Sequence, residues 1–256
     1  MSDIDIRALY DRYERHETVM PGFRREETAR VVRYVPETGN GMVTWSRLNA
    51  EDADSVIDAE LEYWRGLGRG FEWKLYDYDQ PADLRERLAA RGFNVGDDEA
   101  IMALDLALLP ERLKQAPGVE VRRITDPADL KDALGVQNEV WQKDSRPWMD
   151  RLATQLREVP DYVSVYVAYV DGQPVCSAWI NFPKTTPFAS LWGGATRAAY
   201  RGRGAYTALV AVRAQEAVER GYRFLTIDAS PMSRPIVAGH GFQLLGISNP
   251  CEWNPA

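Results

Sequence analysis

Ser190-Leu191-Trp192-Gly193-Gly194-Ala195-Thr196-Arg197-Ala198-Ala199-Tyr200-Arg201-Gly202-Arg203-Gly204-Ala205-Tyr206-Thr207-Ala208-Leu209-Val210 reads as a strand that runs through a glycine-bearing turn into a helix. Gly202 and Gly204 permit dihedrals closed to other residues and let a ligand approach the backbone closely. The helix start presents N–H groups without helical acceptors and the positive end of the helix dipole. Arg197, Arg201 and Arg203 add charge, and no acidic residue stands between Ser190 and Gln215. The stretch is built to hold an anion. A P-loop needs Gly-Lys-Ser/Thr after its glycines, whereas Ala205-Tyr206 follow here. The dinucleotide fingerprint G-x-G-x-x-G also fails, because Thr207 stands in the place of its last glycine.

Working outward, the pattern predicts a strand over Ala189–Thr196, a helix over Ala205–Arg220 closed by Gly221, a strand over Tyr222–Ile227 and a short helix near Ser233–Ala238 before Gly241-Phe242. Upstream, Val119–Ile124 reads as a strand, and Asp126-Pro127 opens a helix to about Trp141 with proline at its first position. A second helix covers about Trp148–Glu158. Val163–Val170 and Val175–Asn181 form a hairpin around Asp171-Gly172, which supplies the positive φ angles of a tight turn.

The first half predicts an amphipathic helix over residues 3–17, strands over Val31–Val35 and Met42–Leu48, a helix over Asp52–Leu67, a strand over Phe71–Tyr76, a helix over Ala82–Ala90 and a strand over Ala100–Leu106. Gly70-Phe71-Glu72-Trp73-Lys74-Leu75-Tyr76-Asp77 matches Gly221-Tyr222-Arg223-Phe224-Leu225-Thr226-Ile227-Asp228 in layout. Each is followed by a proline, a helix and Gly-Phe. Two related domains, 1–109 and 118–256, are expected, joined by a linker Leu109–Gly118 between Pro110 and Pro117.

The turn and its surroundings resemble motif A of the GNAT superfamily, the acyl-CoA-dependent N-acyltransferases, whose pattern is Gln/Arg-x-x-Gly-x-Gly/Ala after the fourth strand. Arg201 and Gly204 match its first position and central glycine, while Tyr206 departs from the last glycine. The resemblance extends through the helix, the strand to Asp228 and Gly241-Phe242, covering most of residues 118–250. It implies an α/β fold with an α+β mixed sheet: two GNAT-like domains, each a twisted mixed sheet flanked by helices. It further implies acetyl-CoA as co-substrate, with pantetheine pairing near Gly194, Ala195 and Thr196 in a splay between the fourth and fifth strands. The pyrophosphate falls to Arg201, Gly202, Arg203, Gly204, Ala205 and Tyr206, with Ser230 near the cofactor. Ser230 and Ser233 also suit capping of the helix that begins there.

The family's proton-donating tyrosine, four residues before Gly-Phe, falls here on Val237, which cannot donate. His240 has a suitable unperturbed pKa for a general base, but its place just before Gly241-Phe242 is ordinarily structural. The family's acceptor pocket falls on Asn138–Trp148, where Trp141, Trp148, Glu139 and Asp144 suit a cationic or aromatic amine. Packed tryptophans and solvated acids fit the same residues. The expected activity is acetyl transfer to an amine of a small molecule or protein. The alternatives are a catalytically silent acyl-CoA sensor and a mycothiol synthase-like tandem acetyltransferase.

The first half lacks the turn. After Met42–Leu48 come Asn49-Ala50-Glu51-Asp52-Ala53-Asp54-Ser55, with no glycine and three acids at the positive end of the helix. It is expected to be a degenerate copy that supports the fold, walls the acceptor pocket or mediates homodimerisation.

Among 256 residues, 31 basic and 38 acidic side chains give a net charge of −7. No basic block suggests nucleic acid. No apolar run approaches the roughly 18 residues of a membrane span. With a start that lacks a basic and apolar leader pattern, a cytoplasmic protein is expected. Two cysteines and two histidines, scattered, suggest neither disulfides nor a metal site.

Overall fold

The computed structural model describes residues 4–115 and 118–255, so residue 3 of the first expected helix and residues 116 and 117 of the expected linker lie outside the described residues. In chain order the elements are α1 (Ile6–Tyr10), extended by a π-helical turn Asp11–His16, β1 (Phe23–Glu27), β2 (Val31–Pro36), β3 (Gly41–Ser46), α2 (Ala53–Gly66), β4 (Phe71–Tyr76), α3 (Leu84–Ala90), β5 (Asn94–Val95) and β6 (Glu99–Asp105). There follow α4 (Glu111–Lys114), β7 (Glu120–Ile124), α5 (Leu130–Trp141), α6 (Arg146–Glu158), β8 (Val163–Val170), β9 (Gln173–Asn181), β10 (Phe188–Thr196), α7 (Ala205–Glu219), β11 (Phe224–Ala229), α8 (Arg234–Gly239) and β12 (Gln243–Trp253).

Two compact units result. The first takes Met1–Met102, Ala229–Pro235 and Leu244–Ala256; the second takes Ala103–Asp228 and Ile236–Gln243. These spans differ from the contiguous blocks 1–109 and 118–256. The stretch expected as a linker contains α4, whose Leu113 is fully buried, and Leu244–Ala256 joins the first unit.

The first unit carries a mixed sheet. β1, β2 and β3 are antiparallel, β3 and β4 are parallel around α2, and β12 closes antiparallel on β4 with Ser248 opposite Tyr76 and Trp253 opposite Phe71. The buried positions of α2, Ala53, Ile57, Glu60, Leu61 and Trp64, recur at helical spacing and make one face. Trp64 stacks on Phe71 with ring centroids 5.1 Å apart, in a core shared with Ile57, Trp73, Leu84 and Leu88. A large apolar side chain so buried stabilises the fold by about 1.5–3 kcal/mol.

A charge pair is buried beside that core. Arg15 and Asp79, each about 4% exposed, meet at 2.7 Å, while Tyr76 N–H donates to Asp79 at 3.0 Å and the Arg15 guanidinium lies 3.8 Å from the Tyr76 ring centroid. Burial pushes the Asp79 carboxyl up, and Arg15 pulls it back.

The second unit is an antiparallel meander β7-β8-β9-β10 that continues into β11, parallel to β10 across the α7 crossover. β8 shows how its two faces divide. Val163, Val165 and Val167 pack with Ile124, Leu130, Met149 and Leu152 beneath α5 and α6. Ser164 and Tyr166, on alternate positions, donate to Glu216 of α7, each at 2.8 Å. So α5 and α6 cover one face and α7 the other.

Removing the acid from the Arg15–Asp79 pair leaves a buried guanidinium with only Asp11, 3.0 Å away, as a carboxylate partner. Asp79→Asn should therefore lose about 3 kcal/mol of stability, read as a lowered urea midpoint at unchanged slope.

Candidate functional site

β10 is irregular where the predicted site begins. Trp192 pairs with Trp179 and Ala195 with Ser177, so Gly193 and Gly194 form a bulge with no partner on β9. Gly193 is left-handed at φ 62°, and a Cβ there would run into the ring of Trp179. Glycine is required on both counts. A Cβ on Gly194 would come 2.7 Å from Cε2 of Tyr206, so this tyrosine, where the motif has glycine, turns its ring onto β10. Burial pushes the Tyr206 phenol up, with Arg213 pulling it down.

On its other side β10 is open. Its parallel pairing with β11 runs from Phe188–Phe224 to Leu191–Ile227 and stops, although β10 continues to Thr196. The edge from Trp192 to Thr196 thus has no β11 partner, which is a splay between two parallel strands.

The turn beyond the splay follows from its glycines. Gly202 and Gly204 are left-handed at φ 73° and 83°, and an added Cβ on either would meet nothing within 4 Å. Their backbone is open, and the requirement for glycine is conformational. Gly204 is the N-cap of α7; the first bond found there, from Ala208 N–H to Gly204 C=O at 2.8 Å, leaves the N–H groups of Ala205, Tyr206 and Thr207 without helical acceptors. Arg201 and Arg203 are exposed and make no ion pair among the described residues; Arg201 Nε donates to Thr196 O at 3.2 Å, and Arg203 lies 5.4 Å from the Tyr200 ring centroid.

The other predicted residues fall as follows. Ser230 accepts from Ser233 N–H at 3.3 Å through its hydroxyl and from Arg234 N–H at 2.9 Å through its carbonyl, which is capping of α8. Val237 is fully buried. Glu139 lies 3.2 Å from Arg197, an ion pair by distance without hydrogen-bond alignment. Asp144 is gripped by Arg146, whose Nε and backbone N–H both donate to it, and those bonds lower its pKa. Neither acid is uncommitted. Trp141, Trp148 and Trp192 are 50%, 48% and 40% exposed, and the Trp148 ring centroid is 6.4 Å from that of buried Trp179. Both cysteines are free and buried; Cys176 lies 3.1 Å from the Thr196 hydroxyl, and burial pushes its thiol up to about 11. Among the described residues no group of three His, Cys, Asp or Glu could hold a metal ion, and no helix is long and apolar enough to cross a membrane.

Two residues at the bulge escaped the sequence reading. Gln137 of α5 donates through Nε2 to Gly193 O at 2.6 Å and to Ser177 Oγ at 2.9 Å, and accepts from Trp141 Nε1 at 2.9 Å. Arg213 of α7 donates to Trp192 O, Trp179 O and Leu209 O. A signal existed: each polar side chain stands four residues after an apolar one on a buried helix face, Ala133 and Leu209 respectively.

Residues 110–229 match the sequence profile of the acetyltransferase (GNAT) domain. They are a GNAT acetyltransferase domain. The fold agrees across more of the chain. A GCN5-related N-acetyltransferase from Kribbella flavida superposes with a TM-score of 0.67 at 14% identity, covering 92% of this chain and 90% of its own. A tandem GNAT protein from the clavulanic acid biosynthesis pathway gives 0.62 at 15% identity, covering 94% and 86%. A GCN5-related N-acetyltransferase from Sphaerobacter thermophilus gives 0.61 at 14%, covering 88% and 78%. At such identities the likeness is one of fold. No curated protein matches the chain in sequence.

His240 is 7% exposed, with Nε2 3.2 Å from Thr207 Oγ1 and Nδ1 without a partner. Burial first, and Arg112 second, lower its pKa below the ordinary 6.5. The unfolded chain therefore binds the proton more tightly, so the stability this residue contributes is present above about pH 6.5 and is lost as pH falls through the folded value. Urea midpoints measured from pH 7 to pH 5 should fall more steeply for the wild type than for His240→Gln.

Proposed function

We propose that residues 110–229 bind acetyl-CoA at the Arg201–Tyr206 turn and transfer its acetyl group to an amine of a small molecule or protein. The observation that carries this reading is the turn itself. Two left-handed glycines expose backbone, three N–H groups at the start of α7 lack helical acceptors, and two exposed arginines have no acidic partner among the described residues. Those features fit a pyrophosphate. Gly194, Ala195 and Thr196 lie on the open edge of β10, where an extended chain carrying amides would find unpaired backbone groups. Bound acetyl-CoA supplies the acyl carbon: its C–S bond breaks as the C–N bond to the amine forms, giving an amide and the free thiol. The proton the amine loses balances the one the thiol gains. Val237, buried and apolar, carries neither.

That same valine favours a second reading, an acyl-CoA-binding module without turnover. Thiol release from acetyl-CoA across a panel of amines separates the two: CoA binding without release for any amine would support the module.

In the first unit the start of α2 differs from the start of α7. At the start of α2, Asn49 Oδ1 accepts from the N–H groups of Glu51 and Asp52, and Asp52 Oδ1 accepts from Asn49 N–H. These bonds close the turn that leads into α2. Asp52 also pairs with Arg30 at 2.6 Å, and Asp54 with Arg87 and Arg91. Ala53 N–H is taken by Asn49 O at 3.1 Å, and the nearby acids would repel a phosphate.

Calorimetry with CoA should therefore give one site per chain, lost on Gly204→Val because β-branched residues resist φ 83°. A stoichiometry of two would overturn the assignment. A hydrogen bond to a charged group is worth about 1.5–3 kcal/mol, so Arg201→Ala or Arg203→Ala should each weaken CoA binding roughly 10- to 100-fold. The rate at saturating acetyl-CoA should change less; unaltered affinity in both variants would mean that backbone alone holds the pyrophosphate.

A further inference from the structure

His240 is a buried titratable group that the proposed transfer leaves unused. It follows α8 directly, and its ring meets the first turn of α7, where Nε2 lies 3.2 Å from Thr207 Oγ1. That contact is the only hydrogen bond of the Thr207 hydroxyl among the described residues. The other ring nitrogen, Nδ1, is buried and has no partner. Threonine within a helix commonly returns its hydroxyl hydrogen to a carbonyl one turn back. Here the hydroxyl meets a side chain 33 residues further along the chain instead.

The two ring nitrogens decide which way this bond runs. With its hydrogen on Nδ1, neutral His240 would bury an N–H that meets nothing, the rarer defect in folded proteins. With its hydrogen on Nε2, the ring donates to Thr207 Oγ1 and Nδ1 keeps only a lone pair. The hydroxyl hydrogen of Thr207 is then free. Each Cα–Cβ bond of a helix tilts toward the N-terminus, so the side chain carries this hydrogen toward the end where the N–H groups of Ala205, Tyr206 and Thr207 lack helical acceptors.

Charge on the ring follows the same line. Arg112 of α4 is the charged side chain that acts on His240, and α7 presents the positive end of its dipole. No carboxylate among the described residues offsets either, and burial adds to their effect, so the ring is held neutral in the free protein. An anion seated at the start of α7 would supply the missing counter-charge.

We propose that His240 is a positioning residue for the cofactor: it turns the Thr207 hydroxyl toward the bound pyrophosphate and, once protonated, places a positive charge behind it, so that cofactor and proton each favour the binding of the other. This rests on the proposed acetyl-CoA site and adds two residues to it. Protonation leaves the Nε2–H bond to Thr207 in place, so the hydroxyl keeps its direction when the charge changes. In the complex His240 should release its proton at higher pH than in the free protein. Between those two values one proton is taken up as the cofactor binds, and by reciprocity affinity rises as pH falls through that window.

The chain has only two histidines, so the imidazole signals of His16 and His240 can be followed separately in an NMR pH titration of the full chain, with His16→Gln to assign them. Dephospho-CoA is the probe, because it keeps the pyrophosphate and lacks the 3′-phosphate that titrates in the same range. Adding it should raise the titration midpoint of His240 and leave that of His16, paired with Glu27 in the first unit, in place. Calorimetric affinity for the same ligand should rise from pH 7 to pH 5 in the wild type. His240→Gln, whose amide still donates to Thr207 but cannot charge, should bind within about threefold of the wild type at pH 7 and lose the rise. Thr207→Val should lose roughly tenfold or more at every pH, the contribution of one hydrogen bond to a charged group. A His240 midpoint unmoved by bound ligand, or a rise that survives in His240→Gln, would overturn the coupling; unchanged affinity in Thr207→Val would overturn the hydroxyl contact. If a variant does not fold, the wild-type titration decides alone. Wild-type protein that binds neither CoA nor dephospho-CoA would overturn the proposed function and this inference together, a different result from binding with an unmoved midpoint.

Discussion

The indole of Trp179 fills the space into which any side chain at position 193 would project, and much of the second unit is arranged around that contact. It demands glycine, and glycine admits the left-handed dihedral that sets the bulge in β10. The bulge takes Gly193 and Gly194 out of register with β9. Beyond Leu191 the same strand also leaves its pairing with β11. A strand buried in a sheet would ordinarily spend its backbone groups on its neighbours. Here the carbonyls of Trp192 and Gly193 accept from side chains, Arg213 of α7 and Gln137 of α5. The neighbouring Gly194 follows the same logic, its missing Cβ replaced by the ring of Tyr206.

How much of this was legible beforehand differs sharply by scale. The strand-turn-helix around Arg201–Tyr206 could be read because everything it needs is local: glycines where φ is positive, arginines without acids, a helix start. β4 was placed to the residue, and α2, α5 and α7 nearly so, since each carries its own period. β1 was missed because Phe23-Arg24-Arg25-Glu26-Glu27 offers almost no apolar alternation. It is an edge strand, stitched by cross-strand pairs such as Arg33–Glu26. β12 was missed because Gly246 and Asn249-Pro250 look like turns; in the sheet, Pro250 uses its carbonyl, which accepts from Gly96 N–H. For Gln137 and Arg213 the sequence shows only a place on a buried helix face, each four residues after an apolar position. Their partners lie 56 and 34 residues away, and no local pattern reports such a bond.

The acids near the expected acceptor pocket show the same limit from the other side. Glu139 and Asp144 have the right chemistry at the right distance along the chain, but each faces an arginine, at positions 197 and 146.

β12 has a consequence for how the protein is made. The sheet of the first unit is completed by residues from Ser248 to Trp253, which pair with β4 more than 170 residues earlier. During synthesis at roughly 5–20 residues per second, β4 waits with an unpaired edge while the entire second unit emerges. Such an edge invites pairing with another chain. The long interval also raises contact order and slows the closing step. Splitting the gene near residue 110 would give a first fragment that lacks a strand of its own sheet, and the two units are better regarded as one folding problem than as separable modules.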